Sequence, residues 1–223
     1  MSHVPRREMN RRHRIQKLLD AALTVFARDG YSGASMDAVA AEAGTSKPTL
    51  YKHFESKEAL FTAMMVARRD DMLLAFGDDD PTQMTAQLHR FAWRYARTVM
   101  RPDLLALARL IIGEVPRFPE IGQAYQQSGP DRVLAGMMAF LDRCRAAGKL
   151  QFEDAELAAQ DLWGLILSAP RTRALHEPDW TPTQDDLARY IHNGLRVFLR
   201  AYATHPDGDL KELEQCISAH PSV

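Results

Sequence analysis

The stretch S-M-D-A-V-A-A-E-A-G-T-S-K-P-T-L-Y-K-H-F-E-S-K, residues 35–57, constrains this chain more than any other. It reads as two short helices meeting at a glycine. Ser35 can cap the first helix by accepting a hydrogen bond from a free backbone N–H of the first turn, and Asp37 sits where the helix dipole favours negative charge. Ala38, Val39 and Ala43 then form an apolar stripe at helical spacing. Gly44 is a natural stop, because glycine takes the left-handed conformation after a helix without a Cβ penalty. Thr45 or Ser46 restarts the chain as the next cap, and Pro48 falls in the first turn, where a missing N–H costs nothing. Leu50 and Phe54, four apart, point one way, which leaves Lys47, Thr49, Lys52 and His53 to point elsewhere.

A helix that enters the major groove has the same requirements. It needs a small apolar underside to hold it on its neighbour and an outer face of donors and short side chains. An ordinary helical hairpin with a solvated polar face satisfies the pattern equally well, and the residues alone leave both readings open.

The residues V-A-x-x-A-G-x-S-x-x-T-L-Y-x-H-F-x-S-K-E-x-L, Val39 to Leu60, resemble the DNA-binding signature of the TetR (tetracycline-repressor) family of bacterial transcriptional regulators. Gly30 and Tyr31 fit the same pattern. The resemblance implies that Ser35 and Met36 meet DNA at the start of the first helix of the motif. It places Lys47, Pro48 and Thr49 at the base-reading end of the second, with Tyr51, Lys52, His53 and Lys57 holding phosphates. Two positions depart from the family: Ala34 stands where threonine is usual, and Thr45 where an aliphatic residue is usual.

The formal charge of the 223 residues is −1, which at first argues against a nucleic-acid partner. The average hides an asymmetry, because residues 1–60 hold ten Lys+Arg against seven Asp+Glu and the remainder carries the acidic excess. Hydrophobic content of 46% and charged content of 26% are those of an ordinary core-forming protein. Cys144 and Cys216 have no closely spaced partners, which argues against structural disulfides or zinc and for a reducing compartment. Lys17 and Asp20 interrupt any leader-like apolar run, and the longest apolar stretch, Leu104 to Ile112, is too short to span a bilayer and contains Arg109. A cytoplasmic protein with no membrane partner is expected.

The apolar spacing is helical wherever it is regular, with no period-2 strand pattern and no internal repeat, so an all-α fold is expected. Residues 1–12, with Arg6, Arg7, Arg11 and Arg12 and nothing to pack, read as a disordered basic arm. Residues 13–60 read as a three-helix helix-turn-helix domain, its first helix carrying Ile15, Leu18, Leu19, Ala22, Val25 and Phe26 and ending at Gly30. Phe26, Leu50 and Phe54 should share its core. A further helix starts at Ser56, passes Leu74 and stops by Gly77, before Asp78, Asp79, Asp80 and Pro81. Residues 61–205 read as a larger helical domain for effector binding and dimerisation, with helices at 82–100, 103–115, 130–147, 154–168 and 183–202. Residues 206–223 read as a tail with a turn or two of weak helix.

The last two long helices carry more apolar residues than one small core absorbs, and Leu162, Trp163, Ile166, Ile191, Leu195 and Phe198 are read as a subunit interface. In the family it resembles, the last two main helices of each subunit form a four-helix dimer contact. Two-fold pairing also brings two short reading helices to half-sites about 34–36 Å apart, or a multiple of that. Trp93, Met100, Ile111, Met137, Phe140 and Leu141 could line an apolar cavity, though such residues more often simply build a core; the resemblance implies a small-molecule effector pocket in this half. The stretch R-L-I-I-G-E-V-P-R-F-P-E-I, Arg109 to Ile121, resembles the regulatory domain of an AefR-like subgroup. An enzyme is not expected: the eight histidines lack metal-ligand spacing, and neither a phosphate-cradling glycine loop nor a Gly-flanked serine nucleophile of the G-x-S-x-G kind occurs. Arg109 and Glu114 read as a structural ion pair rather than a catalytic one. No cofactor or metal is expected. The expectation is a homodimeric repressor that covers a palindromic double-stranded DNA operator and is released by a small apolar or amphipathic effector. An architectural DNA binder without effector is the alternative, and a small helical enzyme is the remote one.

Overall fold

A computed structural model describes residues 6–73 and 80–219 of the chain. Its helices are α1 (Arg6–Gly33), α2 (Met36–Glu42), α3 (Lys47–His53), α4 (Lys57–Leu73), α5 (Met84–Val99), α6 (Pro102–Glu114), α7 (Pro119–Ser128), α8 (Pro130–Ala146), α9 (Ala155–His176), α10 (Gln184–Tyr202) and α11 (Pro206–Ala219), with a 3-10 turn at Pro81–Gln83. The all-α expectation holds among the described residues, whose only extended pairing is an isolated bridge between Leu150 and Ala203.

Two compact units emerge, and they divide the chain differently from the expected cut at residue 60. The first joins residues 1–70 to residues 102–129, and the second joins 71–101 to 130–223. Helices α6 and α7 therefore belong to the unit that carries the helix-turn-helix. The centre of this unit is aromatic. The rings of Phe26 and Tyr31 stack at 5.7 Å, and Phe61 meets both edge-on at 5.3 and 5.2 Å. Phe118, immediately before α7, closes on Tyr31 at 5.4 Å. Each such pair contributes about 0.5–1.5 kcal/mol beyond its area burial. Phe26, Leu50 and Phe54 are all buried, as expected.

Gly30 breaks α1 with φ 74°, so two helical stretches meet there and the chain turns toward α2. A Cβ at this position would be strained in backbone and would sit 3.0 Å from the Glu114 carboxylate. That carboxylate accepts the backbone N–H of Ser32 at 3.4 Å, which ties the end of α6 to the turn before α2. Glu114 thus serves the fold of this turn. Residues 6–12, expected as a disordered arm, are helical from Arg6 onward; residues 1–5 lie outside the description, as does the expected helix stop near Gly77.

The second unit is built on α9 and α10, which run antiparallel. Gly194 faces Leu165, and the Tyr202 hydroxyl donates to Asp161 at the other end of the contact. A Cβ at Gly194 would come within 2.5 Å of the Leu165 carbonyl oxygen, so its absence sets how closely the two backbones approach. Helix α9 runs on to His176 through a buried Pro170, beyond the stop expected near Ser168. Helix α10 opens with a capping box, in which the Thr183 hydroxyl accepts from Asp186 N and the Asp186 carboxylate accepts from Thr183 N. The expected tail is instead the helix α11, seated through a fully buried Leu213.

The residues expected at a subunit interface are mostly core. Leu162, Ile166, Ile191, Leu195 and Phe198 are all 0–1% exposed within the single chain. Trp163 is half-buried and donates its indole N–H to the Tyr95 hydroxyl. The apolar surplus of α9 and α10 is absorbed by their packing on each other and on α5, α8 and α11. What remains outside is a smaller set: Leu157 at 58% and Val197 at 38% exposure.

Candidate nucleic-acid interface

The helix-turn-helix is held by its caps. Ser35 Oγ accepts from Ala38 N at 3.1 Å and starts α2. Gly44, at φ 60°, ends it, with Gly44 N donating to Ala41 O at 3.0 Å and Thr45 N to Ala40 O at 2.9 Å. Of the two residues expected to cap α3, Ser46 does so, accepting from Thr49 N at 3.4 Å while its hydroxyl lies 2.8 Å from that of Thr49. Leu50, fully buried, is the underside of α3, and Phe54 packs just beyond its last turn. Arg28 on α1 braces α2 from outside through Glu42 at 3.6 Å.

This anchoring leaves a definite outer face. Ser35, Lys47, Pro48, Tyr51 and Lys52 are exposed, and Thr49 and His53 are half-buried. Tyr51 is a large ring left 43% exposed. An aromatic residue open to solvent on a short helix, beside lysines, can stack on sugar or donate its hydroxyl to a phosphate. The Lys47 ammonium lies 6.0 Å from the Tyr51 ring centroid, and Asp37 of α2 holds it at 2.9 Å, raising the lysine's affinity for its proton.

Two expected contacts sit differently from the rest. Met36 is buried at 7% exposure, so its side chain is part of the core and unavailable to DNA in this structure. Lys57 is half-buried, and its ammonium donates to Tyr31 O at 2.7 Å and Ala34 O at 3.3 Å while lying 4.6 Å from the Tyr31 ring centroid. It ties the end of α1 to the start of α4, which leaves at most its remaining N–H for a phosphate.

The profile of the bacterial regulatory proteins of the TetR family matches residues 18–64, from α1 into α4. That of the AefR-like transcriptional repressor C-terminal domain matches residues 86–204, more than half of the chain. The chain belongs to the TetR family. Solved TetR structures match over nearly their whole length: a TetR-family regulator of Mesorhizobium loti at 30% identity and TM-score 0.73, and the flavonoid-responsive regulator FrrA at 30% identity and 0.71. Each alignment covers 86% of this chain and 98% of the other. Curated relatives align over much shorter stretches. The transcriptional activator FasR of Mycolicibacterium smegmatis is 46% identical over 57 residues, 26% of either chain. SrpR of Pseudomonas putida is 36% identical over 64 residues, 29% of this chain and 30% of that one. The chain thus matches less than a third of the length of these two curated relatives.

The residues expected around an effector divide between the units. Trp93, Met100, Met137, Phe140 and Leu141 are buried in the second unit, whereas Ile111 is buried on α6 in the first. Sequence reasoning missed the polar group beside them. Trp93 Nε1 donates to His89 Nε2 at 3.2 Å, and His192 Nε2 of α10 lies 3.3 Å from the same nitrogen. Burial first, and then the charge of Arg196, lowers the His192 pKa below the ordinary histidine value, with Glu214 opposing. His89 and Trp93 stand one helical turn apart on the buried face of an amphipathic helix, a spacing that marks them as a candidate buried pair.

Proposed function

We propose that this TetR-family chain is a cytoplasmic transcriptional repressor that binds a palindromic DNA operator as a homodimer and leaves it when a small apolar or amphipathic molecule binds the second unit. The observation that carries the reading is α3: Lys47, Thr49, Tyr51 and Lys52 face outward on a seven-residue helix fixed from beneath by Leu50. Such a helix fits the major groove, and the basic excess of residues 1–60 lets a nearly neutral chain approach phosphates. A single short helix reads few base pairs, so a pair of copies at two half-sites supplies the rest. Leu157 and Val197 are apolar side chains of α9 and α10 left open for a second copy.

The AefR-like repressor profile over residues 86–204 favours negative control, and the printed description of FrrA as flavonoid-responsive favours a small organic effector. The buried Trp93, Met137, Phe140 and Leu141 favour an apolar one. Release requires that the effector bind more tightly to a dimer geometry whose reading heads no longer match the half-site spacing. The test is selection of bound duplexes from a random pool, followed by footprinting. An enriched, protected inverted repeat is expected. Equal competition by random duplex would sink the reading.

A further inference from the structure

Asp37 is an acidic side chain on a face expected to approach phosphates. It is the second residue of α2, exposed, and both its oxygens hold the Lys47 ammonium, at 2.9 and 3.0 Å, across ten residues of sequence. Local stability is a weak reason for it. Ser35 already caps α2, and both an acidic residue in the first turn and an ion pair this open to solvent contribute little. Against that stands repulsion of any duplex brought to the same face.

We propose that Asp37 is a specificity-determining residue of the reading head: it holds the Lys47 ammonium for the base edges and penalises its transfer to a phosphate. The inference rests on the operator-binding reading given above. Lysine is a point charge on a flexible stem with three rotatable donors, so an untethered Lys47 reaches a phosphate as readily as a base. On a phosphate it adds affinity for every sequence alike. Tethered, it has unequal choices. The O6 and N7 atoms of guanine are uncharged acceptors, to which the ammonium donates a spare N–H while keeping its carboxylate. A phosphate competes for the whole ammonium and leaves the Asp37 carboxylate facing the DNA backbone. The pair therefore favours duplexes presenting guanine where Lys47 reaches the groove, and it acts by disfavouring the alternatives.

The experiment compares the full-length protein with its D37N, K47M and D37N/K47M variants, on the selected operator and on random duplex, across a salt series. Far-UV circular dichroism and thermal melts accompany the titrations. For D37N, random-duplex affinity should rise about threefold to tenfold and its salt slope steepen by about 0.9, one added phosphate contact. Operator affinity should rise less, so that the ratio of the two falls. The steepening should vanish in D37N/K47M, which has no ammonium to transfer. If D37N weakens both duplexes equally and lowers the melting temperature, Asp37 is only a helix-start residue and the inference fails. If D37N weakens the operator alone, the carboxylate itself reads a base, as an acceptor for cytosine N4, and the inference fails differently. A wild-type protein that selects no site overturns the operator reading together with this one, whereas a selective wild type matched by an equally selective D37N overturns only the role of Asp37.

Discussion

Lys57 and Lys52 look alike in a family motif, but their surroundings separate them. The Lys57 ammonium bonds two backbone carbonyls and faces the Tyr31 ring, whereas Lys52 is exposed on α3. Lys57→Met should cost about 2 kcal/mol, read as a lowered denaturant midpoint, because it leaves two carbonyls without their charged donor. Lys52→Met should stay within about 0.5 kcal/mol of wild type and instead weaken binding to all duplexes alike. An unchanged midpoint for Lys57→Met would remove the tie from the account. His192 sets a pH dependence. Its folded-state pKa is depressed, so the unfolded chain binds the proton more readily and stability rises with pH through this window. The contribution is full above the unfolded value of about 6.5 and is lost as pH falls toward the depressed one. Melting temperature should therefore drop on acidification through that range, and His192→Gln should flatten the drop; a parallel profile would rule the histidine out. The outward set on α3 was legible because Leu50 and Phe54 fix its phase. Met36 and Lys57 were not, since the burial of the one and the Tyr31 and Ala34 carbonyl partners of the other are set by tertiary packing, which local spacing does not describe.

At the scale of elements, periodicity located the long helices, and caps located the short ones. Ser35, Gly44 and Ser46 punctuate α2 and α3 as their chemistry requires. Helix α7 and the second half of α9 escaped for stated reasons. Helix α7 holds Gly122 and few apolar residues, with Ile121 and Ser128 its buried positions, so it carries little periodic signal. Pro170 reads as a stop because proline lacks an N–H, yet α9 continues past it, buried against its neighbours, and packing outweighs the lost hydrogen bond. The apolar wealth of α9 and α10 was visible, but its direction was not, because a helix with two apolar faces leaves open which face meets its own chain. Gly194 supplies a sharp test of their pairing. Gly194→Ala would press a methyl onto the Leu165 backbone and should destabilise by about 1–3 kcal/mol, despite alanine's better helix propensity. A stabilised variant would mean that the two helices sit further apart.

For the whole molecule, assembly and specificity are joined under the proposed function. Val197→Glu places a charge on an outward position of α10. It should shift sedimentation toward the monomer and weaken operator binding, while leaving the circular dichroism of the chain unchanged; a persistent dimer would place the subunit contact elsewhere. The first compact unit has a consequence of another kind. Residues 102–129 return to it after the chain has entered the second unit, bringing Phe118 to Tyr31 and Glu114 to Ser32. A reading head cut from the gene after residue 70 would lack both partners. The fragment 1–70 should therefore melt well below the intact protein. Recombination at that point, natural or engineered, inherits the same defect: a grafted sensor must bring its own replacement for α6 and α7, shaped to the Tyr31 ring and the turn at Gly30.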